Sequence, residues 1–215
     1  VWKNSLYGSY TYIDPYIAGK PTFNKLMVGR FQITKDDIRL EDEVIPKFGG
    51  NLQDKNTTEK NWTWWESPSG DLHCVYMFSP LKILSFKTLQ DEPTEITHKD
   101  DKHHPFQLQG TIRGGTSGVV YDNKVWCFTH TCTQDDKDTY SLGVMVLSHE
   151  EIPRILGYNY AIIDNKDYKT LFFYVSGAVI DTTTNTWILT GGVQDARCFV
   201  TGIPHEQLCS KIKWI

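Results

Sequence analysis

The sequence predicts an all-β fold, a small β-propeller of four to five blades, and three observations carry that expectation. Aromatic residues make up 13% of the chain and stand among Val, Ile and Thr, the residue types that fit a pleated surface. Apolar runs of strand length recur, each bounded by turn residues. A turn-strand unit also repeats along the chain.

The clearest strands are Leu72-His73-Cys74-Val75-Tyr76-Met77-Phe78, Val125-Trp126-Cys127-Phe128-Thr129-His130 and Tyr140-Ser141-Leu142-Gly143-Val144-Met145-Val146-Leu147. Turn signals at Ser67-Pro68-Ser69-Gly70-Asp71, Asp122-Asn123 and Asp181 to Asn185 separate such runs. Only Ser148 to Leu156, which Pro153 interrupts, and Pro204 to Lys211 have helical character. The polar stretch from Gln90 to His104 reads as a long exposed loop. Aligning the turns sets Leu72, Val125 and Trp187 as equivalent positions. Each unit is then a strand, a tight turn, and an aromatic-rich strand ending in a polar residue or glycine. Small-residue strands, Thr116-Ser117-Gly118-Val119-Val120 and Val175-Ser176-Gly177-Ala178-Val179-Ile180, precede two of these turns. Three hairpins of this kind also fit a β-sandwich.

At 215 residues the chain fits one all-β domain over 1–215, and its start at Val1 reads as a piece of something longer. Lys+Arg 22 against Asp+Glu 26 gives a net charge of -4, and no basic run exists, which argues against nucleic acid as a partner. No apolar stretch approaches the roughly 18 residues that a membrane span needs. The five cysteines form no CxxC pair and are odd in number, so reduced thiols and a cytoplasmic, reducing compartment are expected.

Four segments carry candidate chemistry. In Glu59-Lys60-Asn61-Trp62-Thr63-Trp64-Trp65-Glu66, indole faces can stack on sugar rings while Lys60 and Asn61 bond hydroxyls or an anion. Strand alternation puts Trp62 and Trp64 on one face and Trp65 on the other, so at least one indole belongs to a core. In Arg113-Gly114-Gly115-Thr116-Ser117-Gly118 the glycines admit a close backbone approach and Arg113 can clamp a phosphate, although a β-turn explains the glycines equally well. No GxxxxGK[ST] pattern occurs, which excludes a P-loop. His130 ends an apolar strand, and Asp195 follows the Gly191-Gly192 strand end, where it either caps a turn or faces a central funnel. Glu41-Asp42-Glu43 offers a further acid, Asp42, or a solvated turn.

Glu59-Lys60-Asn61-Trp62, followed by Gly70-Asp71-Leu72 and Tyr76-Met77-Phe78-Ser79-Pro80, resembles the K-N-W motif, turn and S-P strand of five-bladed propeller glycan enzymes. That group includes glycoside hydrolase family 130 and related propeller glycosyltransferases, often viral, algal or bacterial. Arg113-Gly114-Gly115-Thr116, Phe128-Thr129-His130, Tyr140-Ser141-Leu142-Gly143 and Gly191-Gly192-Val193-Gln194-Asp195 resemble the group's later elements, so the likeness spans Glu59 to Ile215. It implies a glycosyltransferase that moves a sugar from a nucleotide sugar to a glycan acceptor. The alternatives are a phosphorylase or hydrolase of the family 130 type and a non-catalytic, lectin-like propeller. Under the transferase reading, Lys60, Arg113 and His130 neutralise the diphosphate, and Asp195 or Asp42 deprotonates the acceptor. Asn61, Trp62, Gly114, Gly115, Thr116 and Tyr140 complete the substrate site. No DxD triplet is present to demand a metal, while Asp100-Asp101 and Asp135-Asp136 offer carboxylates to a divalent cation.

Overall fold

The computed structural model describes residues 1–13, 24–47, 61–101, 111–133, 139–163, 173–194 and 196–215. Strands dominate these residues and form four antiparallel sheets. The first sheet holds β1 (Tyr7–Ile13), β2 (Asn24–Ile33) and β3 (Ile38–Val44). The second holds β4 (Thr63–Glu66), β5 (Leu72–Phe78), β6 (Leu81–Phe86) and β7 (Thr94–Glu95). In the third, β8 (Thr111–Gly114) and β9 (Val119–Tyr121) both pair with β10 (Lys124–Thr133), followed by β11 (Thr139–Ser148) and β12 (Ile155–Ile163). The fourth holds β13 (Phe173–Asp181), β14 (Thr186–Val193) and β15 (Arg197–Pro204). Helix α1 (His205–Lys211) then returns the chain to the third sheet, where β16 (Lys213–Trp214) pairs with β12.

The cores lie between sheets, one between each consecutive pair, rather than inside a two-sheet sandwich. Trp62, Trp64, Leu72, Cys74 and Leu84 pack with Leu26 and Val28 between the first and second sheets. Trp65, Val75 and Ile83 meet Val125, Cys127, Met145 and Leu147 between the second and third. Trp126, Phe128, Val144 and Val146 meet Val175, Trp187 and Leu189 between the third and fourth. Alternation along β10 and β11 sends successive side chains to opposite cores. That is why Val125-Trp126-Cys127-Phe128 and Val144-Met145-Val146-Leu147 are unbroken apolar runs: both faces of the third sheet are buried. The outer sheets bury one face. Ile33 and Ile38 of the first sheet are 60% and 65% exposed, and Val179 and Val200 of the fourth are 54% and 73% exposed.

Two expectations change in detail. Ser148 to Leu156 contains no helix but a turn leading into β12, with Ser148 Oγ accepting from Arg154 N at 2.9 Å. The stretch from Gln90 is not all exposed loop: β7 adds a fourth strand, a 3-10 turn forms at Lys99–Asp101, and Asp101 is buried with its carboxylate accepting from Ile155 N at 3.3 Å. Pro204 to Lys211 does hold the one α-helix among the described residues. Cys74, Cys127, Cys198 and Cys209 are free thiols.

Hydrogen bonds join the turns at one end of all four sheets. Trp2 Nε1 donates to Gly70 O at 2.8 Å, linking the first sheet to the second. His149 connects the second and third, its Nε2 lying 2.9 Å from Glu66 O and its amide donating to Asn123 O at 3.2 Å. Tyr121 Oη donates to Asn185 Oδ1 at 3.0 Å, reaching the fourth.

One buried group at this end makes stability depend on pH. His73 is 1% exposed, packs edge-on to Trp65, and finds no partner for Nδ1 among the described residues. Burial lowers its pKa from 6.5 to about 4, outweighing the opposing pull of Glu151 and Asp71. The unfolded chain takes up that proton near pH 6.5, so the stabilisation is whole above that pH and is lost as pH falls towards about 4. The expected loss is about 3 kcal/mol. Urea unfolding at stepped pH should show it, and His73→Gln should flatten the fall between pH 6.5 and 4.5. An equal fall in both proteins would assign it to other groups.

Candidate functional site

Gly114 stands where two first strands nearly touch. A Cβ there would collide with Asn61 O and come within 2.5 Å of Thr63 Oγ1, and one at Gly115 would lie 2.5 Å from Val175 O. The glycine pair therefore lets β8 pass between the start of β4 and β13 at backbone contact. Asn61 supports this approach with a left-handed backbone, φ 65°, which Asn tolerates better than most residues. Further along, Gly118 N donates to Trp64 O at 2.7 Å.

Around this crossing lies a cleft of about 420 Å³, lined from all four sheets. Asn61, Trp62 and Trp64 form one wall, Gly114 to Ser117 another, and Ser176 of β13 and Tyr7 to Thr11 of β1 complete it. None of the described lining side chains is charged. They offer hydroxyls (Tyr7, Ser9, Tyr10, Thr11, Thr116, Ser117, Ser176) and one carboxamide against indole and aliphatic surface. Trp62 and Trp64, with ring centroids 5.4 Å apart, are largely covered and back the cleft more than they project into it. Trp64 Nε1 finds no acceptor among the described residues.

Five of the residues selected from the sequence thus share the cleft: Asn61, Trp62, Gly114, Gly115 and Thr116. Three others form a second group beside it. Arg113 and His130 are register partners across β8 and β10, so their side chains leave the sheet on the same face. Ile112 fills the core towards the second sheet, and alternation turns Arg113 towards the fourth. Tyr140 joins this group, its ring centroid 5.7 Å from that of His130. Arg113 is half-buried and forms no ion pair with a described residue. Asp42 is placed elsewhere. It lies on β3, outside the cleft lining, with a 68% exposed side chain paired to Arg30 at 2.7 Å. The left-handed backbone at Asp42, φ 52°, belongs to a bulge between β2 and β3, and Glu43 is hydrogen-bonded by Tyr10 Oη. Lys60 and Asp195 lie outside the described residues, as do Asp135 and Asp136. No group of three metal-ligating side chains occurs among the described residues.

The hydroxyl-bearing strand Tyr7-Gly8-Ser9-Tyr10-Thr11 was not singled out from the sequence. Its signal was there, small and hydroxyl-bearing residues along one short run, but nothing local ties it to Asn61 or Thr116.

No protein-family model matches the sequence, and no curated protein does either. Solved structures do match. A β-1,2-mannobiose phosphorylase from Listeria innocua aligns over 98% of this chain and 58% of its own, at 12% identity and a TM-score of 0.69. A GDP-Man-dependent mannosyltransferase from Leishmania mexicana aligns over 95% of this chain and 66% of its own, at 13% identity and a TM-score of 0.57. This likeness is one of fold, and the fold is β-propeller-like. The chain spans less than two thirds of the length of either structure.

The glycine crossing makes a direct prediction. Gly114→Ala would place a methyl group against the Asn61 carbonyl and should destabilise the protein by about 2–3 kcal/mol, the cost of overpacking a closed site. Gly70→Ala should cost less: its positive φ of 86° carries a strain of about 1 kcal/mol, but the nearest atom to an added Cβ is 3.8 Å away. Denaturant midpoints of the two variants check the order.

Proposed function

We propose that this chain is part of a glycan-active enzyme, a glycosyltransferase that uses a nucleotide-sugar donor. The observation that carries this reading is the cleft itself. Its described lining is uncharged, rich in hydroxyls and a carboxamide, and backed by indoles, which suits a neutral sugar ring. Its flank is cationic. Arg113 adjoins the lining residue Gly114 in sequence and stands beside His130 and Tyr140. A sugar held against Asn61, Thr116 and Ser176 would direct its leaving diphosphate towards this guanidinium. Charge developing on that diphosphate is met by a donor already held in place by strand pairing. Asp195, two residues beyond β14 in the sequence, is the proposed base for the acceptor hydroxyl, and Lys60 a second cation. Both solved neighbours bear on this choice: one is named for a GDP-mannose donor and the other for mannobiose phosphorolysis. A mannosyl donor is therefore the first to test.

A second reading, phosphorolysis of a glycoside, rests on the same flank, because one inorganic phosphate suits Arg113 and His130 as well as a diphosphate does. The assay separates the two. GDP-mannose and other nucleotide sugars are offered with oligosaccharide acceptors, and released nucleotide is measured alongside phosphate-dependent cleavage of mannobiose. Nucleotide release that falls tenfold to a hundredfold in Arg113→Ala, the effect of losing about 1.5–3 kcal/mol, supports the transferase. Asn61→Gly keeps the left-handed backbone but removes the carboxamide, and should raise KM for the sugar with little change in stability. Cleavage that requires phosphate, without nucleotide release, moves the assignment to the phosphorylase. Glycan binding with neither activity, unchanged in Arg113→Ala, identifies a lectin.

A further inference from the structure

A second cavity, of about 550 Å³, opens at the rim of linked turns and shares no described lining residue with the cleft. It forms where the core between the second and third sheets stops. His73 of β5, Ser85 of β6 and Thr94 of β7 are successive register partners, so they stand in one row on one face of the second sheet. Two residues further along their strands, Val75 and Ile83 fill the core from that same face. Towards the turns the face becomes polar, and the third sheet meets it there with the turn that carries Glu151 and Ile152.

The described lining is acidic. Asp71, Asp91, Glu92 and Glu151 stand against Lys87 as the one cation among the described lining residues. None of the four carboxylates is ion-paired to a described residue. Glu151 accepts from Ser69 N at 2.7 Å and from Ser69 Oγ at 2.8 Å, and Asp91 accepts from Thr88 Oγ1 at 2.8 Å. These neutral donors orient two of the carboxylates without cancelling their charge.

The floor supplies an independent observation. His73 lines the cavity while 1% exposed, and its Nδ1 has no partner among the described residues. Burial keeps the ring neutral near pH 7, its pKa lowered to about 4. A neutral ring adds no repelling charge to the floor, and one of its nitrogens accepts a hydrogen bond from an N–H donor. Ile96 and the 54% exposed Ile152 add apolar surface beside these groups.

The acids are spread around the cavity, and no three ligating side chains among the described residues converge on one point as a metal ion requires. A cation with several charges along an apolar stem fits this distribution better. We infer that the cavity binds an alkylammonium ligand, with ammonium groups meeting Asp71, Asp91, Glu92 and Glu151 over the His73 floor and methylenes lying on Ile96 and Ile152. That chemistry belongs to a free polyamine and to a lysine side chain on a peptide. The inference is independent of the glycan reading, because no residue of the cleft or its flank takes part.

Spermidine tests it by calorimetric titration at low ionic strength, where attraction between charges is least screened. Saturable one-to-one binding is expected, weakened about tenfold when Asp71→Asn and Glu92→Gln are combined. Both side chains lie at the cavity and outside the cores, so this variant should keep its Tm. Asp36→Asn combined with Glu206→Gln removes the same charge from exposed positions elsewhere and should leave binding unchanged. Proton NMR signals of the His73 ring, assigned by their loss in His73→Gln, should shift during the titration. Nα-acetyl-lysine methylamide is the second probe. Tighter binding of spermidine identifies a polyamine as the source, and equal binding of the two a lysine side chain; both uphold the inference. It is overturned if spermidine binding does not saturate, if the control pair weakens it as much as the cavity pair does, or if the His73 signals stay fixed.

Discussion

Backbone-to-backbone contact at Gly114 and Gly115 is the constraint on which the rest of the molecule depends. First strands from three sheets converge there, with the Asn61 carbonyl on one side of β8 and the Val175 carbonyl on the other. Side chains at those positions would hold the strands apart, and the cores further out would open with them. Because the approach is tight at the centre, the sheets diverge outward and large residues fill the wedges between them: Trp62, Trp64 and Phe86 in one, Trp126, Phe128 and Trp187 in another. Small residues inside and indoles outside are two consequences of one geometry.

The turn-end hydrogen bonds complete that geometry. Bonds from Trp2 to Gly70, from Glu66 through His149 to Asn123, and from Tyr121 to Asn185 fix the sheets along one rim. A neighbouring polar set at α1 shows the same structural use of groups that could suggest chemistry. His205 and Cys209 lie one helical turn apart, with Sγ 3.4 Å from Nε2. Trp187 Nε1 donates to His205 Nδ1 at 3.1 Å, which leaves the proton of the neutral ring on Nε2 and makes sulfur the acceptor. Burial lowers the His205 pKa and raises that of Cys209, so both stay uncharged. The pair packs among Tyr121, Trp126 and Trp187 as structure, not as a nucleophile and base.

The opposite rim is where chemistry can be placed. The described strand starts and ends there place hydroxyls and a carboxamide around the cleft and a guanidinium beside it. Charge is separated by the pleat: alternation along β8 sends Gly114 to the cleft and Arg113 to the adjoining face with His130. A neutral ligand portion and an anionic one can thus be met by neighbouring residues of a single strand.

The sequence by itself determined the strand content, the turns at Gly70, Asn123 and Asn185, the opposite facing of Trp65 relative to Trp62 and Trp64, and the glycine pair that meets Asn61 at the cleft. Each of these is local or periodic, and alternation, turn preference and the steric freedom of glycine are read over a few residues. It did not reveal the role of β1, whose Tyr-Gly-Ser-Tyr-Thr pattern acquires meaning only beside Asn61 and Ser176, nor that Asp42 would be held by Arg30 on an outer strand. Carboxylates look alike in sequence, and what distinguishes them is which strand edge they occupy and which cation reaches them. The division of the site into cleft and flank was likewise decided in three dimensions, because it depends on the direction in which β8 passes between its neighbours. Pairing of distant strands fixes that direction, and no run of neighbouring residues encodes it.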